Sequence, residues 1–153
     1  MDWLFRHGEG ICHVRVTGVL LKEDHILVQR ARGKDEYALP GGHLAFGETT
    51  EEALIREYRE ETGAAITCLR LLWTEENFWD WSGTPAHNLS FYYLIASEDL
   101  AVTDAFAPLG DNDSVEYGWL PVDSLEDVNI YPRFLRQELA ALPEHPRHFI
   151  HRE

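Results

Sequence analysis

The chain has 153 residues, 44% of them hydrophobic and five of them Trp, enough for a packed core of two or three layers and too apolar for a disordered segment. Against 13 Lys and Arg stand 27 Asp and Glu, a formal net charge of −14, which disfavours extended nucleic acid as a partner. No apolar run approaches the roughly 18 residues of a membrane span; the opening MDWLFRHGEG lacks the apolar centre of a signal peptide, so a single domain over 1–153 in the cytoplasm is expected.

In chain order, residues 11–21 (ICHVRVTGVLL) and 25–30 (HILVQR) predict two strands around the turn Lys22-Glu23-Asp24. A polar loop follows and closes on Pro40-Gly41-Gly42. From Thr49 to Thr62 the pattern is helical: Thr49 with Glu52 fits a capping box, and Gly63 sits where a left-handed stop is wanted. Residues 66–76 and 88–97 predict further strands, with the aromatic stretch NFWDWSGTP between them read as a loop. Residues 98–114 predict a long loop in which Asp111 and Asp113 form turns. VEYGWL predicts a short strand and residues 131–142 an amphipathic helix opening at Pro132; the tail HPRHFIH is read as mobile. Strands interleaved with two helices give an α/β class. Cys12 and Cys68 stand in no metal or redox spacing and are expected to be buried and reduced.

Six glutamates crowd residues 41–64, and three of them raise a physical question. On a helix, positions i, i+3 and i+4 are surface neighbours, so Glu57, Glu60 and Glu61 share an arc of about 100° and repel one another. Leu54 and Tyr58 lie in or beside that arc, which places the carboxylates along the border of the packed face. A hard cation between them, Mg²⁺ or Mn²⁺, would remove the conflict, since all-oxygen ligands suit such ions. A solvated acidic helix with pairs such as Glu52 with Arg56 is the plainer alternative.

The full spacing is more specific. After Gly42 come five residues and Glu48, then seven more and Arg56-Glu57-Tyr58-Arg59-Glu60-Glu61-Thr62-Gly63-Ala64. This resembles the Nudix box, the signature of hydrolases that cleave nucleoside diphosphates linked to another moiety. Tyr58 and Ala64 depart from the usual aliphatic residues without removing a proposed ligand. Flanking segments from residue 14 to 125 also look like that family.

The resemblance implies a Nudix-type α/β/α sandwich with a mixed β-sheet between helices. It implies Glu57 and Glu61 as principal metal ligands, Glu60 as a third ligand or a base, and the Gly42 carbonyl as a further metal contact. Arg56 would hold the site together by pairing with a loop or helix carboxylate, with Glu48 the candidate. Candidate bases are Glu48, Glu60 and Glu116. Arg15 and Arg30 are candidate phosphate contacts, with Arg32, His43 and Asn77 less favoured, and Trp79 and Trp81 are candidates to stack on a base. The implied cofactor is Mg²⁺ with Mn²⁺ as substitute, the implied partner a small nucleotide derivative, and related proteins suggest a homodimer. A ligand-binding module of the same fold with little turnover is the alternative function; the charge of −14 argues against RNA-end processing.

Overall fold

The computed structural model describes all 153 residues. Two stretches of the sheet carry the site. The first comprises β1 (Leu4–His7), β2 (Gly10–Lys22) and β5 (Gly41–His43). The second is a long antiparallel hairpin of β6 (Thr67–Trp81) and β7 (Thr84–Ala96), with β7 lying parallel to β2. β10 (Arg147–Arg152) extends it, parallel to β6. A second region comprises β3 (His25–Ala31), β4 (Tyr37–Ala38), β8 (Val115–Pro121) and β9 (Ile130–Tyr131), joined to the first where β2 pairs β3. The sheet is therefore mixed, with ten strands.

Strand alternation separates two cores. Val16 and Leu20 of β2, Leu27 of β3, and Tyr93 and Ile95 of β7 pack with Ala53, Leu54 and Tyr58 of helix α1 (Thr50–Thr62). The intervening Val19, Ile26, Val28 and Tyr92 point the other way and pack with Leu135 of the short α2 (Leu135–Ala140). Because side chains alternate with a period of two, one sheet carries both helices on opposite faces. That is the expected sandwich.

α1 starts and stops as its sequence demands. Thr49 accepts from the Glu52 amide and Glu52 accepts from the Thr49 amide, while Gly63 takes a left-handed φ of 77° and closes the helix on the Arg59 carbonyl. Glu52 is thus occupied in the cap and does not pair with Arg56.

Elsewhere the structure corrects the expectations. NFWDWSGTP is no loop: β6 runs through Trp81 and turns at Ser82-Gly83, with φ of 51° and 88°, into β7. Positive φ at both central residues suits a two-residue hairpin turn, and the Gly83 amide donates to Asp80. The C-terminal helix spans only Leu135–Ala140, because residues 130–131 are used as a strand. The tail pairs residue for residue with β6 from Arg147↔Trp73 to Arg152↔Phe78. In the long loop a turn does lie at Asp113-Ser114, but the side chain that braces it is Asn112, which accepts from Ser114. Cys12 is exposed near the start of β2, and Cys68 is half-buried with burial pushing its thiol up to about 11. No helix is long and apolar enough to cross a membrane.

Candidate active site

Arg56 is the hub of the acidic helix. Its guanidinium donates to both oxygens of Glu48, at 3.1 and 2.6 Å, to Glu57 at 2.9 Å, to Glu60 at 3.2 Å and to the His43 carbonyl at 3.1 Å. A planar fork can do this where a lysine could not. Glu48 also accepts from the Ala45 amide, so it spans the loop between β5 and α1. The bond to Arg56 is the main reason its pKa lies below the ordinary value. The same partner raises the already high pKa of Arg56 further.

Glu57 is pressed against β5. A Cβ on Gly42 would stand 2.2 Å from the Glu57 carboxyl carbon, so only glycine permits the approach. Gly41 is held as closely, since its Cβ would meet the Val16 carbonyl at 2.0 Å. Arg56 occupies one oxygen of Glu57 and leaves the other facing Gly42.

Glu61 receives the Tyr117 hydroxyl at 3.3 Å. Its pKa is raised, first by desolvation and then by the neighbouring Glu57 charge, with Arg15 acting in the opposite sense. Two carboxylates of one helix therefore oppose each other's ionisation, and Glu61 has no ion-pair partner of its own. Glu60 differs: its side chain is 59% exposed and leans on Arg56. No group of three metal-ligating side chains converges.

A cavity of about 550 Å³ lies on the α2 side of the sheet. Its floor is a polar patch laid out by strand register. One row runs His43–Arg15–Ser90–Glu75 across β5, β2, β7 and β6, and the next runs His13–Asn88–Asn77–His151 across β2, β7, β6 and β10. Trp79 and Trp81 close one side with rings stacked 5.4 Å apart, while Tyr131 and Arg133 line another. His43 joins the two regions: its ring lines the cavity, and its carbonyl is bound by Arg56. Arg15 has no ion-pair partner, yet its charge acts on Glu61 as well as on His13 and His43. His13 is held neutral, its pKa pushed down to about 4 chiefly by burial.

The structure thus brings together Gly42, Glu48, Arg56, Glu57, Glu60 and Glu61, and gathers Arg15, His43, Asn77, Trp79 and Trp81 around one cavity. It does not bring Glu116 or Arg30 there. Those two form a cross-strand pair at 3.3 Å, with Arg30 also over the Phe106 ring at 4.2 Å. Alternation along β8 is the reason: Tyr117 points to Glu61, so Glu116 points away. Sequence reasoning missed Tyr117, His13, Glu75, Asn88 and Ser90. The signal was alternation, since Glu75-Asn77-Trp79-Trp81 and Asn88-Ser90-Tyr92 each read as one polar or aromatic strand face.

The chain belongs to the NUDIX family: the NUDIX domain model matches residues 12–138. It is similar to an ADP-ribose pyrophosphatase of Methanocaldococcus jannaschii, at 45% identity over 53 residues covering 33% of this chain and 31% of that protein. It is 30% identical over 124 residues to an 8-oxo-dGDP phosphatase of Mus musculus, covering 78% of this chain and 35% of the relative. The chain thus spans about a third of the length of these two relatives. Among solved structures, a MutT NUDIX hydrolase from Burkholderia pseudomallei superposes with a TM-score of 0.62 at 22% identity, covering 84% of this chain and 98% of the other. An ADP-ribose pyrophosphatase from Streptococcus suis superposes with a TM-score of 0.58 at 15% identity, covering 91% and 98%. At such identities the two structures speak for the fold.

Proposed function

We propose that the protein is a divalent-metal-dependent hydrolase that cleaves the diphosphate bond of a nucleoside diphosphate derivative by attack of water on phosphorus. The observation that carries the reading is the pairing of Glu57 and Glu61, two carboxylates facing each other on α1 against the glycine cradle at Gly42.

The donor set fits Mg²⁺ or Mn²⁺. It offers hard oxygens only, one Glu57 oxygen is free of Arg56, and Glu61 resists ionisation first through burial and then through the neighbouring Glu57 charge, both of which a bound cation would offset. The Gly42 carbonyl and Glu60 are further donors from adjacent positions. When bound, such an ion polarises a phosphoryl oxygen and acidifies a water.

The chain's own residues supply the rest. Arg56 fixes Glu57 and Glu48, so the carboxylates are set before substrate arrives. Glu48, with both oxygens committed to Arg56, is a positioning residue and a poor base. Glu60, the more exposed carboxylate, is the better candidate to take a proton from water. Arg15, unpaired at the junction with the cavity, receives phosphate charge, and the cavity holds the remainder of the substrate. Trp79, held in place by its indole N–H bond to Asn88 at 2.8 Å, backs one face of Trp81, and Trp81 is the ring assigned to stack on a base.

The names of the two relatives both denote nucleoside diphosphate compounds, which supports the substrate class. The test is phosphate release, with coupling phosphatase, from nucleoside di- and triphosphates, ADP-ribose, nucleotide sugars and dinucleoside polyphosphates in Mg²⁺ or Mn²⁺. Metal-dependent turnover of one compound class is the expected result. Binding without turnover across the panel would replace the hydrolase with a ligand-binding module.

A further inference from the structure

The buried carboxylate of Glu75 has no role in the site described so far. The residue is only 5% exposed, it lines the cavity, and no cationic side chain pairs with it. Its single protein partner is the Tyr92 hydroxyl, which donates to one oxygen at 2.9 Å. The other oxygen has none. A carboxylate this deeply buried without a countercharge is costly, and its free oxygen opens only on the cavity, so its retention points to donors arriving there from outside the chain.

A second acceptor sits two residues along the same strand face. The Trp79 indole nitrogen can only donate, so the Asn88 atom it meets must be the amide oxygen. The Asn88 amide nitrogen then donates to Ser90 at 2.7 Å. Asn77 in turn must offer its NH₂ to the Asn88 oxygen, at 3.4 Å, which leaves the Asn77 carbonyl oxygen without a partner. The orientation of each amide follows from one indole N–H. Glu75 and Asn77 thus each place an unpartnered acceptor oxygen beside Trp79 and Trp81.

Two strand spacings, about 10 Å, separate Glu75 from Arg15 along their shared row. A ligand with phosphates at Arg15 would reach the wall with its head group. Among the common bases only guanine presents two N–H donors side by side, N1–H and the 2-amino group, matching a carboxylate's two oxygens, with the second amino hydrogen left for Asn77. Hypoxanthine lacks the amino group. Adenine and cytosine place an acceptor beside theirs, and uracil and thymine carry a single ring N–H between two carbonyls.

We propose that Glu75, supported by Asn77, selects a guanine-type base for the substrate cavity. This deepens the hydrolase reading and rests on it for turnover, but the binding chemistry stands apart from the metal. The test uses the whole protein in EDTA, reading Trp fluorescence during titration with guanosine, inosine and adenosine 5′-diphosphates. The wild type is expected to bind the guanosine compound roughly tenfold or more tighter than the inosine compound, as sites built to bond an N–H reject analogues lacking it. Glu75→Gln keeps the shape and the Tyr92 contact but offers an NH₂, and is expected to bring that ratio near one. Where turnover is measurable, the same change should appear in KM more than in kcat.

Equal binding of the three nucleotides by the wild type would overturn the proposal whether or not the variant folds. So would a loss in Glu75→Gln that is equal for all three. Base-blind binding with metal-dependent turnover would remove the specificity inference alone; guanine-selective binding without turnover would remove the hydrolase alone.

Discussion

Replacing Arg56 tests whether the acidic helix is held by one guanidinium. Arg56 makes five hydrogen bonds, two of them to Glu48 and one to Glu57, whose side chains are only 17% and 13% exposed. Bonds to charged groups contribute roughly 1.5–3 kcal/mol each when a partner is left unsatisfied. Only the three to Glu48 and Glu57 are sheltered, and Arg56 is itself 31% exposed, so water recovers about half. Arg56→Ala should therefore cost about 2–4.5 kcal/mol, and Arg56→Lys, which keeps the charge but loses the fork, about 1–2 kcal/mol. In urea melts at pH 7 the midpoint should fall by about 1–2 M for the alanine variant.

The pH dependence supplies a sign. The native pKa of Glu48 lies below its ordinary value of 4.5 chiefly through Arg56, so this stability is present above pH 4.5 and is lost as the pH falls through the native value. The gap between wild type and Arg56→Ala should narrow in that window. A midpoint shift below about 0.3 M at pH 7, or a gap that stays constant into acid, would refute the hub.

Three further outcomes are expected. Glu61→Gln should raise the urea midpoint in EDTA at pH 7: a raised native pKa marks a cost of ionisation present above that value and relieved as the pH falls through it, and glutamine carries no such cost. Gly42→Ala should lower metal-dependent turnover by at least roughly tenfold, because the added carbon stands 2.2 Å from the Glu57 carboxyl and must displace it; full activity would remove the cradle. Trp81→Ala should raise KM for a nucleotide substrate more than for a non-nucleotide diphosphate, by the roughly 1–3 kcal/mol of one stacked base, and equal effects on both would end the stacking role.

The acidic helix was legible from sequence because its features are local. Its cap, its glycine stop and the spacing from Gly42 to Glu61 are fixed within one turn or one loop, and the structure keeps them. What sequence hid was set by partners distant along the chain. The tail became a strand because β6 offered an edge, and Trp79 and Trp81 moved from an expected loop to a strand because the turn lies at Ser82-Gly83. Glu116 sat beside a residue that does reach α1, and only the strand's phase decides which of the two points there. The cavity floor needed two registers at once before Arg15, Ser90 and Glu75 formed a row.

Under the proposed function, Glu57 and Glu61 would hold the divalent ion on which cleavage of a diphosphate bond depends. The most direct measurement compares kcat of the wild type and Glu61→Gln on the best substrate of the panel, across a Mg²⁺ titration, with both proteins shown folded by circular dichroism. Saturable Mg²⁺-dependent turnover is expected in the wild type, with a loss of at least roughly a hundredfold in the variant. Comparable kcat values with the same Mg²⁺ dependence would contradict that assignment.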